Sequence, residues 1–119
     1  MDYLKPFNDA IGKEIASVAL SNDELHFVFA DGSKVRVLDD GQSCCEARYM
    51  TTDDNLDEYA GAKLLGLEIK DAPDIEERYD VHEVQFLEVM TSRGCFTMAT
   101  HNEHNGYYGG FSVRAMPLD

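Results

Sequence analysis

The sequence predicts an α+β domain on a mostly antiparallel sheet of six or seven strands, with one or two short helices. Three observations carry this. Apolar residues recur with period two over long stretches. Tight-turn signals separate those stretches. A single segment, residues 40–62, breaks the alternation.

Strand signals begin at "EIASVALSNDELHFVFADGSKVRVLDD". Leu25, Phe27 and Phe29 alternate with Glu24, His26 and Val28, and Val35 and Val37 alternate with Lys34, Arg36 and Leu38. Each run therefore buries one face. "SND" breaks the first pair of strands. "ADGS" predicts a hairpin, because Asp-Gly tolerates the positive φ of tight hairpin turns. In residues 40–62, Thr51 or Thr52 can cap a helix, and Asp53 and Asp54 suit its positive end. Leu56 and Tyr59–Ala60 give a short apolar face and Gly61 a stop, which predicts a short helix near 52–60. Cys44–Met50 reads as either a further helical turn or a short strand. "AKLLGLEIKDA" is a strand, and "DAPDIEERYD" an acidic connection. "VHEVQFLEVMTS" and "CFTMATH" form a hairpin about "SRG", and a "NEHNGYYGG" loop leads to "FSVRAM", a last strand at a sheet edge.

The chain has 119 residues, 44% of them hydrophobic, which is enough for one domain spanning residues 1–119 with its own core. No apolar run approaches a membrane span, and the start has no basic segment followed by an apolar one. The expectation is a soluble cytoplasmic protein. There are 23 acidic against 10 basic residues, a net charge of −13. That opposes direct binding to nucleic acid or to an anionic membrane, and allows a basic partner, a metal ion or plain solubility. Cys44, Cys45 and Cys95 are odd in number, which argues against a disulfide framework.

Chemistry-bearing residues concentrate in "THNEHNGYYGGF", residues 100–111. His101 and His104 are spaced H-x-x-H, but no C-x-x-C accompanies them, so no metal site is expected. No nucleophile motif, P-loop or GxGxxG is present, so neither catalytic residues nor a cofactor is expected. The paired carboxylates Asp53–Asp54, Asp57–Glu58 and Glu76–Glu77 read as solvated faces. Binding of a small polar ligand suits the segment better. Asn102, His104 and Asn105 supply hydrogen-bonding groups, and Tyr107, Tyr108 and Phe111 supply flat faces for a base. Gly106, Gly109 and Gly110 permit close backbone approach. Arg114 can pair with a phosphate, and Arg48, Arg36 and Arg93 are alternatives.

Residues 41–113, with "CCEARYMTTDD", "DAPDIEE" and above all "HNEHNGYYGGF", resemble small proteins encoded by bacteriophages and prophages. The last run also resembles a segment of the phage Thoeris anti-defence family, sponges that sequester cyclic ADP-ribose signals. The resemblance implies a small α+β protomer in the host cytoplasm that assembles into homo-oligomers. It implies nucleotide signals held without cleavage, with site roles for Phe96, Asn105 and Arg114. Two alternatives stand beside this reading. One is an acidic inhibitor of a host defence protein, of DNA-mimic or anti-CRISPR type. The other is a small metal- or cysteine-dependent enzyme.

Overall fold

The structure is a computed structural model, and it describes residues 3–41, 46–72, 75–77, 80–104 and 109–117. It is almost entirely antiparallel β. The elements are α1 (Lys5–Asp9), β1 (Ile15–Ser21), β2 (Glu24–Phe29), β3 (Lys34–Asp39), β4 (Glu46–Thr51), β5 (Leu64–Asp71), β6 (Ile75–Glu77), β7 (Asp80–Thr91), β8 (Gly94–His104) and β9 (Val113–Pro117). One sheet has the order β1-β2-β3-β9. The other has the order β4-β8-β7-β5, with short β6 added to β7.

The predicted strand alternation holds. Leu25, Phe27, Phe29, Val35 and Val37 are all buried. Their faces pack on Leu64, Leu87, Val89, Phe96 and Met98 from the second sheet. Gly32 has φ +89 in the turn between β2 and β3, where Asp-Gly was expected to serve. Asp31 also takes hydrogen bonds from the Ser33 hydroxyl and N–H there, which with Lys13 hold its carboxyl down at about 2.

Three expectations are corrected. The strand count exceeds six or seven, because Cys44–Met50 resolves in favour of a strand at Glu46–Thr51 and the acidic connection contains β6. Among the described residues helix is minimal, so the α+β assignment gives way to a mostly β fold. The helix near 52–60 is a single 3-10 turn, Leu56–Tyr59, capped by Asn55 accepting from the Asp57 N–H. Residues 52–54 are drawn instead to the neighbouring strand. Thr52 donates to the Thr97 carbonyl at 2.8 Å, and Asp54 accepts from the Thr97 N–H at 2.8 Å. Tertiary partners thus overrule the local capping signal. Helix α1 was not foreseen. Its visible signal is Pro6 in the first turn, and it delivers Phe7 edge-on to Phe27 at 5.8 Å.

The two sheets meet at one corner, where the starts of β1 and β5 exchange backbone bonds such as Ile15 N–H to Ala62 O at 2.8 Å. They differ in length. At ~3.3 Å per residue, twelve-residue β7 runs about 40 Å, whereas β1–β3 and β9 have five to seven residues each. The β7–β8 hairpin therefore overhangs the smaller sheet, and its overhang positions the site. Among the described residues, no helix is long and apolar enough to cross a membrane.

Candidate functional site

Along β8, every second residue faces inward. Phe96 and Met98 sit in the apolar core, but the same face continues as Thr100, Asn102 and His104, all buried. Opposite them in register lie Arg48 and Glu46 of β4, and Gln85, Glu83 and Val81 of β7. The inner face thus turns from oily to ionic where the smaller sheet ends.

This ionic half is a connected network. Arg48 donates to Asp39 at 2.8 Å and to Glu46 at 2.9 Å, with the three side chains 7%, 4% and 0% exposed. Burial works against the Arg48 charge. Hydrogen bonds to Glu46 and Asp39 outweigh it and raise the pKa above the ordinary arginine value. The Asn102 amide donates to Glu46 at 2.9 Å and to the Gly110 carbonyl at 3.0 Å. Glu83 accepts from the Gly110 N–H at 2.9 Å and meets His104 Nε2 at 2.6 Å. Asp39 accepts from the N–H groups of Gly41 and Ser112, each at 3.1 Å. Residues 109–112 are therefore fastened to the sheet through the N–H and the carbonyl of Gly110 and the N–H of Ser112. A Cβ on Gly109 would lie 2.6 Å from Glu83 Oε1, so a larger residue there would displace the carboxylate that holds Gly110 and His104.

Beside this network is an open cavity of about 400 Å³ lined by Tyr3, Asp40, Phe111, Ser112, Val113 and Arg114. The Tyr3 carbonyl accepts from the Ala115 N–H at 2.8 Å, which lays the start of the chain along the edge of β9. The Asp40 N–H donates to the Ser112 carbonyl. Arg114 meets Asp40 at 2.9 Å, lies 5.9 Å from the Tyr3 ring centroid, and is 39% exposed. Its buried Nε has no hydrogen-bond partner.

The expected site residues separate into four groups. Arg48, Asn102 and His104 converge, but as the buried floor beneath residues 109–112. Arg114 lines the cavity next to them. Phe96 is in the core, fully buried against Phe27 and Tyr59, so its faces are not open to a ligand. Asn105, Tyr107 and Tyr108 lie outside the described residues, as do Cys44 and Cys45. Asp39, Asp40, Glu46, Glu83, Tyr3 and Ser112 were missed. Parity with Met50 and Met98 could have flagged Glu46 and Asn102 as inward-facing, but nothing local marks Tyr3 or Asp40.

The H-x-x-H pair divides across the sheet, since residues three apart on a strand face opposite ways. His104 turns inward, while His101 stacks on Tyr49 on the outer face at 4.5 Å. Burial first, and His82 second, hold the His101 pKa below the ordinary 6.5, with Glu103 opposing. The unfolded chain then takes up a proton at a higher pH than the folded one. The stability His101 contributes is complete above about pH 6.5 and is lost as the pH falls through that value toward the lower folded pKa. Denaturant titrations across that window should show stability rising with pH, with a shallower slope in His101→Gln.

These features define a class of small antiparallel β-sandwich with a buried ionic half-core and an arginine-bearing cavity at one end. The chain belongs to the family described as a domain of unknown function, DUF7448, whose family model matches residues 8–113. No curated protein and no solved structure matches it.

Proposed function

We propose that the protein binds a small nucleotide-type ligand without cleaving it, as a phage anti-defence sponge that sequesters an immune signal in the host cytoplasm. The observation that carries this reading is the Arg114 cavity. A half-exposed guanidinium lies near the Tyr3 ring, with Phe111 and the Ser112 hydroxyl in the same lining. Arg114 can pair with a phosphate once Asp40 is displaced, while a ring takes the base. The buried ionic floor favours the reading because it fixes residues 109–112, so a ligand would meet a preorganised wall. The carboxylate of Asp40 counts against a free anion and would set a threshold for entry.

Calorimetry with cyclic ADP-ribose isomers and cyclic oligonucleotides tests this. Arg114→Ala should cost about 2–5 kcal/mol of binding, or roughly 30-fold or more. Its melting temperature should barely move, because an exposed ion pair contributes only ~0–1 kcal/mol. A bound signal should be released chemically unchanged on denaturation. Multiple turnover would instead favour an enzyme. Unaltered binding by the variant would move the site elsewhere.

Homo-oligomerisation belongs to the same proposal. Strand β5 ends one sheet path and bears Leu65 and Ile69, both exposed. Antiparallel pairing of two β5 strands about Ile69 would set Glu68 against Lys70, a favourable cross-strand match. Light scattering that gave a strictly monomeric mass at high micromolar concentration would remove this part. The second reading, an acidic inhibitor of a host defence protein, is favoured by the exposed Asp53, Asp57 and Glu58 around the 3-10 turn. It predicts co-purification of a protein whose binding weakens sharply with salt.

A further inference from the structure

On the outer face of the larger sheet, away from the Arg114 cavity, His82 of β7 and His101 of β8 bring Nε2 and Nδ1 to 2.9 Å. Nothing in the ligand reading uses them. We propose that this pair is a cross-strand clamp for a borderline divalent transition-metal ion of the nickel class, with solvent filling the other coordination positions.

The spacing is the first argument. Two imidazole nitrogens about 2.1 Å from one ion, at right angles, lie about 3.0 Å apart. The observed separation needs almost no strand movement. In the metal-free pair the His82 Nε2–H donates to His101 Nδ1; on binding, His82 carries its proton on Nδ1 instead, and both rings tilt until their lone pairs converge beside the N···N line rather than along it.

The surroundings are the second argument. His101 Nε2 sits 2.8 Å from Thr51 Oγ1. With Nε2–H donating to Thr51, the His101 Nδ1 lone pair is left for a metal, which is the usual outer-shell device for fixing a ligand's tautomer. Tyr49 stacks on the His101 ring with planes 9° apart, and its hydroxyl is hydrogen-bonded to Glu103. Glu103 is paired in register with His82, so a carboxylate stands beside the pair. The chain's net charge of −13 also draws cations.

Ligand number selects the metal class. Among the described residues, no group of three His, Cys, Asp or Glu side chains converges. A closed tetrahedral zinc site needs four protein ligands. An open sheet face that offers two imidazoles and room for water suits an ion content with nitrogen and oxygen donors.

Titration of the wild-type protein with Ni²⁺ alone should show one equivalent bound. His82→Gln and His101→Gln should each weaken it by more than about tenfold, since even outer-shell changes cost 10–100-fold. Thr51→Val should weaken it to a lesser degree, and His26→Gln, on the other sheet, should leave it unchanged. A variant that fails to fold does not remove the test. In wild type, paramagnetic Ni²⁺ should broaden the ring signals of His82 and His101 first and leave those of His26 and His104 sharp. Broadening centred elsewhere, no binding, or wild-type affinity in either glutamine variant would overturn the proposal.

Discussion

Replacing Arg48 by alanine is expected to lower stability by about 3–5 kcal/mol, because it strands two buried carboxylates. Asp39 and Glu46 are 4% and 0% exposed and both depend on the guanidinium. Neither can reach water without releasing what it fastens. Asp39 holds the N–H groups of Gly41 and Ser112, and Glu46 holds the Asn102 amide. The measurement is the urea midpoint at unchanged slope, which separates lost stability from a change in the exposed surface. Arg48→Lys should fall between the two, because it keeps the charge but loses the fork that spans both carboxylates. If Arg48→Ala melts with the wild type, the network is not structural, and Arg48 becomes a candidate for ligand contact instead.

Phe96→Ala is expected to cost about 3–5 kcal/mol of folding stability, the usual penalty for emptying an aromatic from a core. The ring is fully buried between Phe27, with centroids 6.4 Å apart, and Tyr59, at 4.8 Å. The resemblance implied a site role for this residue. The two roles separate cleanly by experiment. A stacking residue would lose about 1–3 kcal/mol of binding and no stability. A core residue loses stability, and Phe96→Leu should recover much of it by refilling the volume with another apolar side chain. A variant that melts normally but binds weakly would return Phe96 to the site.

The site role of Phe96 came from the resemblance alone, whereas the structure buries its ring in the core. Phe96, Met98 and Thr100 share one parity within the predicted strand, so their common face was legible; Asn102 and His104, read as the start of a loop, continue that face because β8 runs on to His104. What they face was not legible. The change from oil to ions at Thr100 depends on where the smaller sheet ends, and that is a matter of packing. The histidine pair shows the same limit. His101 and His104 are neighbours in sequence, yet the strand sends them to opposite faces. His101 finds His82 instead, nineteen positions away and one strand over.

The sequence by itself determined most of the strands, β4 and β6 excepted, because period-two alternation and glycine turns act through local backbone geometry. Leu25, Phe27, Phe29, Val35 and Val37 needed no tertiary information to be placed inside. Tertiary structure decided the fate of residues 52–60, where bonds from Thr52 and Asp54 to Thr97 outweighed a helix signal worth about a kilocalorie. It also decided that Asp39, Glu46, Arg48 and Asn102 would share one buried network, and that Tyr3 and Arg114 would border one cavity across more than a hundred residues of chain. Such partnerships rest on which strands become neighbours, and the physical reason they stay hidden is that a side chain's charge and periodicity carry no record of the strand it will be set against.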